Sequence, residues 1–146
     1  MKIVIASDHG GLELKEQIKN YYAGRGIALD DVGTYSSDSC DYPDIAAAAC
    51  NKILRGDADW GILICGTGIG ISIAANRFKG IRAALLYSED VARLAKEHNN
   101  ANVVVFGGRT MRYDEVIARL EAFEGASFGG ERHQRRIDKL DLSGEE

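Results

Sequence analysis

The sequence predicts an α/β fold, a three-layer α/β/α sandwich on a Rossmann-like five-stranded parallel sheet. Three observations carry that expectation. Five short apolar runs alternate along the chain with stretches of helical periodicity. Most of the runs are apolar at successive positions, as strands covered on both faces must be. Polar, glycine-rich loops follow them at residues 7–11, 65–70 and 107–110, the carboxyl ends where such sheets take their ligands.

The elements follow in order. Residues 2–6 (KIVIA) form a β-branched strand, broken by the turn chemistry of Ser7-Asp8-His9-Gly10-Gly11. Leu14, Ile18, Tyr21 and Tyr22 recur at helical spacing, with Glu13, Lys15, Glu16 and Lys19 assigned to the polar face. Gly24 and Gly26 end that helix. Residues 27–32 are a strand diluted by Asp30 and Asp31, and 33–41 a polar loop. Pro43 opens the next helix, which runs through an alanine-rich stretch to about Leu54 and stops at Gly56. WGILIC at 60–65 is a buried-type strand, 71–77 a helix and 81–86 a strand. Ser88 is placed as an N-cap, with Glu89 and Asp90 favoured in the first turn by the helix dipole. Residues 103–106 make the fifth strand, and Val116, Ile117, Leu120 and Phe123 mark the last clear amphipathic helix. The tail over 131–146 is charge-rich and partly helical.

A chain of 146 residues buries roughly 70% of its unfolded surface and needs no metal or disulfide staple. One domain over 1–146 is expected, with the tail extending from it. Hydrophobic residues at 45% and charged residues at 27% are the balance of a globular chain, not a disordered one. A formal charge of -4 speaks against a general polyanion surface, so no nucleic-acid partner is expected. Cys40, Cys50 and Cys65 are widely spaced, odd in number and lack a CxxC, which indicates neither a disulfide framework nor a zinc site. The opening apolar run is too short for a signal peptide, and none approaches the roughly 18 residues of a membrane span. A cytoplasmic location with free thiols and no membrane partner is therefore expected.

The densest constellation is Cys65-Gly66-Thr67-Gly68-Ile69-Gly70. Strand, glycine turn and helix start in that order aim several backbone N–H groups at one point, which suits an anion or oxyanion. A tight structural turn or a dinucleotide loop explains the glycines equally well, although the spacing is not GxGxxG and no P-loop lysine follows. Cys65 adds chemistry: a thiol between a strand end and a helix N-terminus has its thiolate favoured, which suits a general base or a nucleophile. Cys40 and Cys50 lack that setting. His9, His98 and His133 sit in loop-like settings. The Arg132-His133-Gln134-Arg135-Arg136 run, with Arg109 after two glycines, reads either as a solvated basic face or as a phosphate or carboxylate grip.

The segments SDHGG, DYPD, GILICGTGIGISIAANR, EHNNANVVVFGGR and ERHQRR, in this order from residue 2 to about 136, resemble the ribose-5-phosphate isomerase B family. The related galactose-6-phosphate isomerase subunits and allose-6-phosphate isomerases share the general pattern. The resemblance implies interconversion of ribose 5-phosphate and ribulose 5-phosphate through a cis-enediolate, without metal or cofactor. By the match, Cys65 is the base, Thr67 assists proton movement between substrate oxygens and His98 opens the sugar ring. Asp8, Asn99 and Tyr42 meet the sugar, and Gly66, Gly68 and Gly70 supply backbone donors. His9, Arg109, Arg132, His133 and Arg136 match the phosphate set. A homodimer or a tetramer of dimers, with the site between subunits, is implied as well.

Two departures stand out. Glu131 occupies a position where the family pattern leads to a glycine. Some relatives use a carboxylate base from the helix after the glycine turn, but residues 71–77 contain no acid, which favours Cys65. Two alternatives remain at this stage. One is isomerisation of a six-carbon sugar phosphate, allose 6-phosphate or galactose 6-phosphate. The other is a nucleotide-binding module, with Glu89 or Asp90 as the ribose ligand about 20 residues after the glycine loop.

Overall fold

Five strands, β1 (Ile3–Ser7), β2 (Asp30–Asp31), β3 (Trp60–Cys65), β4 (Ala83–Leu85) and β5 (Val103–Gly107), lie parallel in the order β2-β1-β3-β5-β4. The structure is a computed structural model and describes residues 1–142. The last part of the expected tail, 143–146, lies outside the described residues.

Side-chain alternation sorts the sheet into two apolar faces. Ile3 and Ile5, Ile62 and Ile64, and Val104 and Phe106 point to one side. There they meet α1 (Leu12–Gly24), α4 (Glu89–Glu97) and α5 (Tyr113–Glu124). Val4 and Ala6, Leu63 and Cys65, and Val103 and Val105 point to the other side, against α2 (Tyr42–Leu54) and α3 (Ile69–Ala75). Each aliphatic side chain fully buried in this way contributes about 1.5–3 kcal/mol. A sixth helix, α6 (Arg132–Asp138), buries no residue of its own.

Local chemistry sets the ends. Pro43 stands in the first turn of α2, and the Ser88 hydroxyl accepts from Val91 N at 3.1 Å to cap α4. β2 is only two residues long, against the six expected. Asp30 and Asp31 disfavour an extended ladder, and their carboxylates bind Lys52 and Lys15, each at 2.8 Å, at the sheet edge. β4 shrinks likewise, because Ile81 N turns back to Phe78 O and Arg82 N to Asn102 Oδ1.

Lys15 corrects the sequence expectation. Assigned to the polar face, it is fully buried. It lies three residues before Ile18 and seven before Tyr22, on the stripe that packs on the sheet. Burial is possible because Nζ donates to Asp31 Oδ1 at 2.8 Å and to the Thr34 carbonyl.

Candidate active site

From β1 the chain moves outward to the edge strand β2, and from β3 it fills the opposite half of the sheet. The crevice at the carboxyl ends of β1 and β3 is therefore the topological switch point, where α/β sheets accept ligands.

β3 ends there on Cys65. Gly68 follows with φ +83°, and a Cβ on it would come within 2.6 Å of Leu85 Cδ1 and 3.0 Å of the Phe106 backbone. Only glycine fits, and the turn it makes brings Gly68 N to 3.2 Å from Cys65 Sγ. Thr67 Oγ1 accepts from Ile69 N at 3.2 Å. Gly70 N and Ile71 N, in the first turn of α3, have no helical acceptor. Cys50 is buried in α2, where burial alone pushes its thiol up to about 11, and it is a packing residue.

The β1 side supplies Asp8, 7% exposed, whose Oδ1 accepts from Gly10 N at 2.9 Å. Its other oxygen is left to accept from a ligand. His9 Nδ1 accepts from Cys40 N at 3.2 Å, which puts the ring proton on Nε2 and makes His9 a donor. Tyr42 lays its ring on Gly70, where a Cβ would come within 2.7 Å of Cζ. Asp8, His9, Cys40, Asp41 and Tyr42 line a cleft of about 490 Å³.

The β5 side closes the group. Gly108 N donates to Cys65 O at 2.8 Å and Arg109 N to Gly66 O at 2.9 Å. The Arg109 guanidinium lies over both loops: a Cβ on Gly10 or on Gly66 would meet it at 3.3 Å.

The remaining expected residues form a second cluster. His98 caps the C-terminal end of α4. With Asn99, Arg132, His133 and Arg136 it lines a cleft of about 250 Å³. The His98 and His133 rings stack, their centroids 4.3 Å apart and their planes 15° from parallel. Arg82 holds the loop beneath, donating to Asn99 O at 3.1 Å and Asn100 O at 2.9 Å. Gly130 O accepts from His133 N at 3.0 Å, and Glu131 sits at the first inner position of that turn with φ 51° and ψ -119°. This is the mirror-image type II turn, whose first inner position is dominated by glycine. The departure noted in the sequence thus falls on a residue whose backbone does what a glycine does.

The two clusters lie at opposite ends of the sheet. The loop after His98 leads to Asn102, whose carbonyl accepts from Gly61 N at the start of β3. Cys65 lies four residues further along that strand, about 13 Å away at roughly 3.3 Å per residue. The chain therefore gathers Asp8, His9, Tyr42, Cys65, Thr67 and Arg109 at one end, and His98, Asn99, Arg132, His133 and Arg136 at the other. It does not bring the two sets together.

Arg82, Lys15 and the Cys40 amide escaped the sequence. The apolar-stripe position of Lys15 was a usable signal; a guanidinium placed on two distant carbonyls leaves none. Among the described residues no group of three or more His, Cys, Asp or Glu is placed to hold a metal ion. No helix among them is long and apolar enough to cross a membrane.

Comparison with known proteins adds the relatives. The family described as Ribose/Galactose Isomerase matches residues 3–140. Ribose-5-phosphate isomerase B of Escherichia coli (strain K12) is 42% identical over 139 residues, covering 95% of this chain and 93% of its own. The crystal structure of a ribose 5-phosphate isomerase from Thermotoga maritima superposes with a TM-score of 0.94 at 53% identity, covering 97% of each chain. The crystal structure of ribose-5-phosphate isomerase B from Mycoplasma genitalium, with bound ribulose-5-phosphate, gives a TM-score of 0.91 at 44% identity, covering 99% of this chain and 97% of that one.

Proposed function

The chain belongs to the Ribose/Galactose Isomerase family, and from that premise we propose that it is an aldose–ketose isomerase interconverting ribose 5-phosphate and ribulose 5-phosphate. The observation that carries the chemistry is Cys65, at the switch point of the sheet with the Gly68 amide on its sulfur. The Mycoplasma genitalium relative with ribulose-5-phosphate bound supports the five-carbon substrate over a six-carbon one.

Ribose 5-phosphate is mostly a closed ring, so opening comes first. The bond from C1 to the ring oxygen breaks, O1 gives up its proton as C1=O1 forms, and a proton reaches the ring oxygen. His98 is the acid–base group for this step, since an uncharged imidazole offers an N–H at one nitrogen and a lone pair at the other. Cys65 thiolate then takes the proton from C2 and returns it to C1. Between those events the substrate is an enediolate. The first-turn amides of α3 stabilise its oxygens, and one such donor is worth roughly 3 kcal/mol. The Thr67 hydroxyl passes the proton between O1 and O2. Asp8, Tyr42 and Asn99 hold the sugar hydroxyls. His9, Arg109, Arg132, His133 and Arg136 grip the phosphate, so that binding energy remote from the reacting carbons positions them.

Cys65 and His98 stand too far apart in one chain for one small substrate to touch both. The assembly we propose is a homodimer, alone or paired into a tetramer, in which the His98 end of one copy covers the Cys65 end of the other. Ile69 and Ile73, each more than half exposed on α3, supply apolar surface for that contact. The free thiols suit a reducing cytoplasm.

The test is turnover of ribose 5-phosphate by wild type and Cys65→Ala in EDTA, with allose 6-phosphate assayed in parallel. Loss of a general base lowers kcat by about 10²–10⁴-fold, and the variant should melt with wild type. Full activity in Cys65→Ala, or a wild type inactive on ribose 5-phosphate, would overturn the proposal.

A further inference from the structure

We infer that His133 is a positioning residue for His98: its ring, stacked face to face on the His98 imidazole, fixes the plane in which that imidazole meets the closed sugar. This rests on the ring-opening role proposed above for His98. The resemblance counts His133 among the phosphate ligands; the stack gives the same ring a second task.

Both sides of the stack are anchored. His98 N donates to Leu94 O at 2.8 Å, holding it to the last turn of α4. Gly129 N donates to Glu97 O at 2.9 Å, which clamps the tail beside His98, and His133 N bonds back to Gly130 O. Gly129 also backs the His133 ring: a Cβ there would come within 3.4 Å of Cδ2. Stacking grips an imidazole by its face, so both ring nitrogens of His98 keep their edges for substrate. A side-chain hydrogen bond would have consumed one of them.

The surroundings favour the uncharged form of the His133 ring. Partial burial, and then His98, Arg132 and Arg136, hold the His133 imidazole below the usual histidine range, against an upward pull from Glu131. From α4, the Glu97 carboxylate is taken up by Arg93 at 2.8 Å. A charge on the His133 ring is repelled by Arg132 and Arg136, so protonating His133 in acid loosens the stack and its hold on His98. The sign is definite: positioning is complete at neutral pH and is lost as pH falls through the lowered value.

Ribulose 5-phosphate has no five-membered ring to open, because its O5 carries the phosphate, and this separates the steps. His133→Ala should lower kcat on ribose 5-phosphate by roughly tenfold or more. Loss of the phosphate contact should raise KM as well, and deuterium exchange from solvent into ribulose 5-phosphate should continue. His133→Phe keeps a flat ring without nitrogens; it should recover most of the lost rate and extend activity to lower pH. Independently of turnover, the NMR resonances of the His98 ring should carry a ring-current shift in wild type and His133→Phe that His133→Ala lacks. The inference is overturned if His133→Ala raises KM and weakens inorganic phosphate at unchanged kcat, if it slows exchange and ring opening equally, if His133→Phe behaves as His133→Ala, or if the His98 shift is absent. A wild type inactive on ribose 5-phosphate removes the isomerase proposal itself; an active wild type with any of these outcomes removes only this one.

Discussion

Gly68 carries two constraints at once, a left-handed backbone and no room for a methyl group between Leu85 and Phe106. Gly68→Ala should therefore cost about 2 kcal/mol or more and displace the amide from Cys65 Sγ. Thermal unfolding and kcat should fall together. Glu131 is the opposite case, a side chain where the turn favours glycine. Relief of strain outweighs the added freedom of the unfolded chain, so Glu131→Gly should stabilise the protein by about 1 kcal/mol, seen as a higher Tm. A lower Tm would show that the Glu131 side chain contributes more than its backbone costs. At this scale the sequence was informative wherever chemistry is local. The glycine turn, Cys65 and the Ser88 cap are adjacent residues acting on one another. It was silent on Arg82, whose partners are 17 and 18 residues away, because no spacing rule links them.

Among the elements, α1 and the loop after β2 are joined through a buried charge. Lys15 Nζ reaches Asp31 and Thr34, and Lys19 Nζ reaches the other Asp31 oxygen at 2.9 Å. Burial alone would raise the Asp31 carboxyl; bonds from Lys15, the Gly33 amide and Lys19 more than reverse this and hold it below the usual carboxylate range. Its contribution is thus present above the ordinary aspartate value and lost as pH falls through the lowered one. Lys15→Met should cost about 3 kcal/mol at neutral pH by leaving Asp31 without its buried partner. It should also flatten the decline in stability on the acid side, measured by urea unfolding from pH 7 to pH 3. An unchanged slope would show that Lys15 is not what lowers Asp31. The sequence located β1, β3 and β5 and the helices α1 to α5 from their apolar runs and periods, and β3 coincides at both ends; α6, which buries nothing, was legible only as a partly helical tail. The sequence overran β2 and β4, whose outer residues turn their bonds to side chains and loops that periodicity does not register.

At the level of the whole molecule, the chain separates the groups to which the proposal assigns the reaction. The fold was legible because a parallel sheet follows from the order of its parts. The division of the site was not, since nothing in a linear motif says at which end of a strand its neighbours lie. It follows from the path of the chain: Cys65 ends β3, whereas His98 ends a helix that has already crossed back. In the assembly we propose, one copy supplies Cys65 and another supplies His98 to the same site. The most direct measurement is complementation between Cys65→Ala and His98→Asn, each inactive alone, co-expressed in equal amounts. Half of the randomly paired dimers are mixed, and each mixed dimer holds one intact site, so activity should return to about a quarter of wild type. A mixed preparation no more active than the two variants kept apart would contradict the account.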